Sequence, residues 1–407
     1  MTQNTINEDQ IPDELTGIQE FCLAAAGGIM VANAYYIHPI ISEVAKDMSV
    51  SAAVIGIVPA LNQFALALGI FFLLPLGDRY SNRRLSIIFA AGQTISLGLM
   101  AWAHGFTLFV IGSTMLGFFT IAPYLLPAYA SKRVSSSRLG SVTAKLTAGT
   151  IFGILLARMG AGLIAQYYDW HLVYVIAAGL MVSATLALPL FMEGRKQTPG
   201  TKQEGSYLQL VTSLFPLLKA HPQVLMSGII QALNFGIFLS VWLGLALHLT
   251  SPAMGYGTDV VGYLAGFAIV ALFATPRLGK LADRIGARKM RFRLSLVQLA
   301  GVALLWPLGS SLWLLLIPIL IMNTVGPSID VTGRMTTFEL APEIRTRLLT
   351  AYVMCMFIGA GISSWAATVS YEFAGWPGNA ALGMALSLAL VGLSWRETRR
   401  TKQGQNL

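Results

Sequence analysis

The chain has 407 residues, of which 55% are hydrophobic and only 11% charged, against about 25% charged in soluble globular domains. With a mean hydropathy of +0.66, so little charge cannot cover a water-soluble fold of this length, and the composition predicts an integral membrane protein. The net charge of +9 raises nucleic acid as a partner, and the placement of the cations excludes it, as shown below.

Residues 1–16 are polar and acidic, with no Lys or Arg ahead of the first apolar run and no small-residue cleavage site. They read as a tail rather than a removable signal peptide. Apolar runs of the roughly 20 residues a spanning helix needs follow at 17–40, 51–77, 85–103, 107–130, 139–166 and 172–192. A polar interval, 193–221, opens with Glu193, Gly194, Arg195, Lys196 and continues to Pro199-Gly200 as a linker. In it Tyr207, Leu208, Leu210, Val211, Leu214, Leu217 and Leu218 recur at helical spacing, which predicts an amphipathic helix lying at the membrane interface. Six more runs then occupy 222–247, 259–278, 291–308, 313–333, 348–371 and 377–395, before a basic tail, 396–407. The expectation is an all-α membrane protein of twelve spans, six in 17–192 and six in 222–395.

Of the 27 Lys and Arg residues, 24 fall in alternate loops that share one face; the exceptions are Lys46, Lys145 and Arg158. Positive loops stay cytoplasmic, so both termini are expected inside, and the basic charge reflects topology. Cys22 and Cys355, the two cysteines, lie within apolar runs and read as packing residues, not as a disulfide or metal pair.

The halves also repeat. Gly77, Asp78, Arg79, Arg83 and Arg84 between the second and third runs correspond to Gly279, Asp283, Arg284, Gly286, Arg288 and Lys289 between the eighth and ninth, with Asp78 and Asp283 205 positions apart. Arg138-Leu139 matches Arg347-Leu348 at an offset of 209, and Trp170 matches Trp376 at 206. Three nearly equal offsets predict two pseudo-symmetric six-helix bundles, a construction in which substrate sites lie near mid-membrane between the repeats.

The stretch Gly279 to Lys289, with its looser copy at 74–84, resembles the signature of the major facilitator superfamily, and the resemblance extends over the whole chain. Ala32 to Pro39, Gly153 to Arg158 and Tyr207 to Pro222 resemble the bacterial drug- and metabolite-efflux branch, although the Gly-Pro-x-x-Gly-Gly antiporter signature is absent. What this implies is a secondary transporter of a small organic molecule at the inner membrane, monomeric, working by proton-coupled efflux. Substrate uptake or facilitated diffusion, or a non-transporting receptor built on the same fold, are the alternatives. It also implies that Asp78 meets the start of the eleventh span and Asp283 the start of the fifth. A carboxylate at a helix N-terminus is worth about 0.3–1 kcal/mol when exposed, and such contacts hold the inner side closed.

Arg158 is the sharpest single residue, lying about 16 Å inside the outer face, eleven residues from Asp169 at roughly 1.5 Å each. A cation at that depth is by default a functional site: an anchor for an anionic or polar substrate, a partner for a protonatable group, or a structural cation on backbone carbonyls. Gln231, Asn234, Phe238 and Trp242 share one face of the seventh run, Asn33 and Tyr36 sit three apart on the first, and Asn62 or Gln63, Tyr124 and Asn323 complete a candidate cavity. Asp330, four residues from Arg334, is expected as a local ion pair with proton coupling as the alternative. Lys145 reads as structural, Glu20 and Glu372 as solvated, and His38 as an interfacial residue at an outer helix end. No catalytic or metal-ligating motif and no nucleotide-binding loop is present, so transport rather than catalysis is expected, with no cofactor.

Overall fold

The computed structural model describes residues 14–131, 133–192, 207–212, 214–338 and 345–404. Every regular element among them is helical. The first half comprises α1 (Gly17–Ala32), α2 (Ile37–Asp47), α3 (Ala52–Ile55), α4 (Ile57–Phe72), α5 (Asn82–Ala101), α6 (Phe106–Phe119), α7 (Ala122–Ser131), α8 (Ser136–Tyr167) and α9 (Trp170–Phe191). Short α10 (Tyr207–Thr212) and α11 (Leu214–Ala220) lead to the second half: α12 (Pro222–Leu249), α13 (Thr258–Gly266), α14 (Val270–Ile285), α15 (Ala287–Leu308), α16 (Leu312–Phe338) and α17 (Arg345–Gly404).

These elements make twelve spans. Ten helices are long and apolar enough to cross a membrane. Two further crossings come from α15, which begins with four basic residues in its first seven, and from α17, which reverses at Ala374 and Gly375 (φ 59°) and so holds two spans in one continuous assignment. Pairs α1–α2, α3–α4, α6–α7 and α13–α14 each form one broken span. The fold is two six-helix bundles that expose many large apolar side chains. Trp102, Trp306, Trp313, Tyr168 and Phe373 are among the most exposed of these, and their positions at helix ends fit an interfacial aromatic belt.

The breaks have local causes. Pro39 has no N–H to give Tyr35, and His38 donates to the Tyr35 carbonyl instead, at 3.3 Å. The first span therefore turns through Asn33–Tyr36 and continues to Asp47, beyond the expected end at 40. Between α6 and α7, the freed Phe119 carbonyl accepts from Gln93 Nε2 at 3.3 Å, as backbone inside a membrane requires.

The helices also run further into the charged segments than the apolar runs suggest, because a helix beyond the bilayer needs no apolar residues. Arg277, Lys280 and Arg284 lie within α14, Arg291 and Arg293 within α15, and Arg334 within α16, so the expected loops there are helix ends. The second charged motif turns only at Gly286, whose φ of 93° a side chain resists. Its first-half counterpart turns through Ser81 at φ −62°, which explains why that copy needs no glycine.

Over its described part the linker segment is helical. Val211 and Leu214 are buried while Phe215 is exposed, and Tyr207 donates to the Phe72 carbonyl at the end of α4. The expected linker at 193–206 lies outside the described residues.

Candidate functional site

The two bundles press together at the end opposite the charged turns. Thr258 Oγ1 on α13 donates to the Gly162 carbonyl on α8 at 2.8 Å, and Thr258 N donates to Gln166 Oε1 at 3.0 Å. Gly162 and Gly262 allow this approach: a Cβ on Gly162 would lie 2.4 Å from the Thr258 oxygen. Ala53 N at the start of α3 donates to Glu372 Oε2 at 2.5 Å, so Glu372, expected to be merely solvated, ties α17 to α3.

Immediately inside that closure sits Arg158, 2% exposed. Its Nη2 donates to His38 Nδ1 at 2.8 Å. Three aromatic rings surround the guanidinium: Trp242 at 4.5 Å, Phe238 at 4.9 Å and Tyr35 at 5.5 Å from its central carbon. Cation–π contacts of this geometry are worth about 0.5–2 kcal/mol each. The cage spans the boundary, with α2 and α8 of the first half facing α12 of the second.

His38 is thus not an interfacial residue. The longer first span carries it inward, to 2% exposure, and its neighbour Pro39 produces the turn that aims Tyr35 at Arg158. Tyr36 points the other way, with its ring edge-on to Tyr174 at 6.5 Å; the cage tyrosine is Tyr35.

From the cage an aromatic wall continues. Phe238 meets Trp242 at 6.3 Å and Phe235 at 5.7 Å; Phe235 meets Phe357 at 5.9 Å, and Phe357 meets Tyr124 at 6.4 Å. Asp330 pairs with Arg334 at 2.9 Å, four residues on, and accepts from the Tyr352 hydroxyl at 2.9 Å. The local pair is present, and Tyr352 is an addition the sequence reading did not contain.

The remaining polar candidates bond partly within their own helices and partly across to neighbours. Asn234 Nδ2 donates to Gln231 Oε1 at 3.1 Å and to the Gly326 carbonyl at 3.0 Å, while Gln231 Nε2 contacts Met356 Sδ at 3.4 Å. Asn33 donates to Gln93 at 3.0 Å, and Asn62 to the Ser113 carbonyl at 2.8 Å. Asn323 donates one amide hydrogen to the Ile319 carbonyl of its own helix, at 2.9 Å. Gln63 is 1% exposed, and its Oε1 has no partner.

At the charged face the sequence-derived motif residues separate into two groups. Arg83 donates to the Pro189 carbonyl of α9 at 2.9 Å. In the second half Arg288 approaches Glu397 at 3.7 Å, and buried Arg291 hydrogen-bonds the same carboxylate. Each half therefore fastens its third span to its sixth. Asp283, Arg284 and Lys289 are exposed, as is Arg84. Asp283 makes no ion pair or hydrogen bond among the described residues, so its expected contact with the start of the fifth span is not formed while the halves meet at the other end. The side chains of Asp78 and Arg345 lie outside the described residues. Gly77 packs against Leu125, 2.8 Å from where its Cβ would be.

Glu20 is the clearest departure from the expected solvation. It is 1% exposed and holds Arg138 and Lys145, each at 2.5 Å. The two cysteines are free, and no metal-binding cluster occurs among the described residues.

The family model described as "Major Facilitator Superfamily" matches residues 23–364. The chain belongs to that superfamily. An uncharacterized transporter, YgaY of Escherichia coli O157:H7, is 29% identical over 384 residues, covering 93% of this chain and 95% of its own. The multidrug resistance protein MdtG of E. coli K12 is 27% identical over 221 residues, 53% of this chain and 52% of its own. Among solved structures, the nucleoside transporter NupG aligns with a TM-score of 0.74 at 13% identity, covering 92% of this chain and 99% of its own. A bacterial homologue of the lysosomal transporter Spinster, in an inward-facing and unoccupied conformation, gives 0.72 at 13% identity, over 93% and 96%. A D-xylose–proton symporter gives 0.69 at 15%, over 92% and 97%. At these identities the structures share the fold and nothing more.

Proposed function

We propose that this superfamily member is a secondary transporter that carries a small organic molecule across the bacterial inner membrane by alternating access. The observation that carries the reading is the Arg158 cage: a buried cation, walled by aromatic rings from both halves, directly behind the α8–α13 contact where the halves meet. A site at the repeat interface is where a rocking motion exposes it to each side in turn. Residues 17–192 and 222–395 are the two moving bodies, joined by 193–221, with both termini cytoplasmic. The unpaired Asp283 fits a state open to the cytoplasm; in the outward-open state it would meet the start of α8.

Proton-coupled efflux is the direction proposed, supported by the similarity to MdtG and by Asp330, the candidate proton carrier, held by Arg334 and Tyr352. Substrate uptake by the same cycle is the alternative, and the absent antiporter signature favours it. The transporter is taken to act as a monomer. The deciding experiment uses proteoliposomes of known orientation, loaded with a pH-sensitive dye and exposed to pools of small organic compounds. Counterflow of protons that Asp330→Asn abolishes, with labelled substrate still exchanging, supports antiport. Substrate and protons moving in the same direction would reverse the assignment, and substrate equilibrating without protons would make this a facilitator.

A further inference from the structure

Three charged residues are buried among the described residues: Glu20, Arg158 and Arg291. Glu20 is matched by Arg138 and Lys145, and Arg291 by Glu397. Asp330 on α16 is matched by Arg334. Arg158 alone has no Asp or Glu against it among the described residues; its partners are a histidine ring and three aromatic faces. A guanidinium does not shed its proton to escape burial as an ammonium can, and a buried charge persists only when something compensates it.

The unmet hydrogen bonds have the same sign. His38 Nδ1 accepts from Arg158, which assigns the ring proton to Nε2. Both His38 Nε2 and Arg158 Nε are buried without a partner. What the cage lacks is therefore acceptors and one negative charge. A carboxylate supplies both, through two oxygens and about four lone pairs. The walls decide the rest of the ligand. Tyr35, Phe238 and Trp242 present ring faces, which favour an apolar or aromatic body and give an inorganic oxyanion nothing to replace its hydration.

We propose that the transported compound is an organic monoanion, an apolar or aromatic carboxylate whose charged end docks on Arg158. This rests on the reading of the cage as the transport site. It also gives the cycle a logic, because neutralising Arg158 removes the cost of holding a bare cation between two sealed halves, so the loaded carrier closes around its cargo more readily than the empty one.

The test uses the purified full chain, titrated with two matched series: benzoate, benzamide and benzylamine, and hexanoate, hexanamide and hexylamine, with inorganic phosphate alongside. Thermal stabilisation and tryptophan fluorescence report binding, Trp242 being part of the cage. The expected result is binding by the carboxylates, with the amides and amines at least tenfold weaker. Arg158→Gln weakens carboxylate binding at least tenfold, and Arg158→Lys less. The melting temperatures of the ligand-free variants check that they fold. Equal binding of amide or amine, or carboxylate binding unchanged in a folded Arg158→Gln, overturns the anion assignment. Competition by phosphate at similar concentration overturns the organic part. If neutral or cationic members bind and Trp242→Ala removes that binding, the cage remains the transport site and only the anion reading fails. If no member of either series binds, the cage reading fails with it.

Discussion

Replacing Gly162 by valine tests whether the seal between α8 and α13 sets the balance between two states. The first side-chain carbon would lie 2.4 Å from the Thr258 carbonyl oxygen and 3.0 Å from the Gly262 Cα, whereas ordinary contact begins near 3.4 Å. The obstacle is backbone on both sides, so the helices must part by about 1 Å. The Thr258–Gly162 hydrogen bond would stretch from 2.8 Å to about 3.8 Å, beyond bonding range, and the Thr258–Gln166 bond would go with it. Two interhelical bonds at about 0.6 kcal/mol each, plus about 1–3 kcal/mol for overpacking, place the penalty on this state at roughly 2–4 kcal/mol. That is a change of about 30-fold to several hundred-fold in the ratio of states. Spin labels at Tyr168→Cys and Ala253→Cys, both exposed beside the seal, read the separation of the two halves there. In Gly162→Val the distance distribution should move to a longer peak, with the protein still folded. An unchanged distribution would refute the argument, because it would mean that the seal contributes little to which state the carrier occupies.

Further expectations follow from the ionic contacts. Glu397→Gln leaves Arg291 buried and uncompensated and should destabilise the protein by about 3–5 kcal/mol, visible as a lower melting temperature; adding Arg291→Met should recover most of that loss. Glu20→Gln removes the carboxylate shared by Arg138 and Lys145 and should speed hydrogen exchange at the start of α1 without altering ligand binding at Arg158. Asp169 caps α9 in the loop after α8. Partial burial pushes its carboxyl up, but hydrogen bonds from the His171 backbone and ring outweigh that and lower it. Because the folded value is the depressed one, its stabilisation is present at neutral pH and is lost as pH falls through the acid carboxylate range. Asp169→Ala should therefore cost about 0.5–1 kcal/mol at pH 7 and progressively less as the pH falls below the ordinary carboxylate range, measured as a difference in melting temperature.

Spans were easy to read from the sequence because burial in lipid forces long apolar runs, and alternating basic loops fixed their number. Their ends were harder, since Arg291 and Arg334 lie on helices that continue past the bilayer, where hydropathy no longer marks them. At the site, Arg158, Phe238 and Trp242 were legible from depth and helical spacing. Tyr35 and His38 were not, because a straight helix puts them on the wrong face or at the wrong depth. Pro39 was the available signal: a proline inside an apolar run announces a break. Tyr352 and Glu397 found their partners across more than 20 and 100 residues of sequence, and no local pattern carries that information.

The two copies of the repeat differ at the spans beside the cage. In the first half, the spans holding Tyr35 and Tyr124 are each interrupted, at Asn33–Tyr36 and at Thr120–Ile121, whereas their counterparts α12 and α16 run through without a break. At the two positions beside the cage, the first half has jointed spans and the second half continuous ones. Small adjustments at these two joints can move Tyr35 and Tyr124 while α12 keeps Phe238 and Trp242 in place, so new specificity is expected to arise from changes around Asn33–Tyr36 and Thr120–Ile121 more readily than from changes along α12.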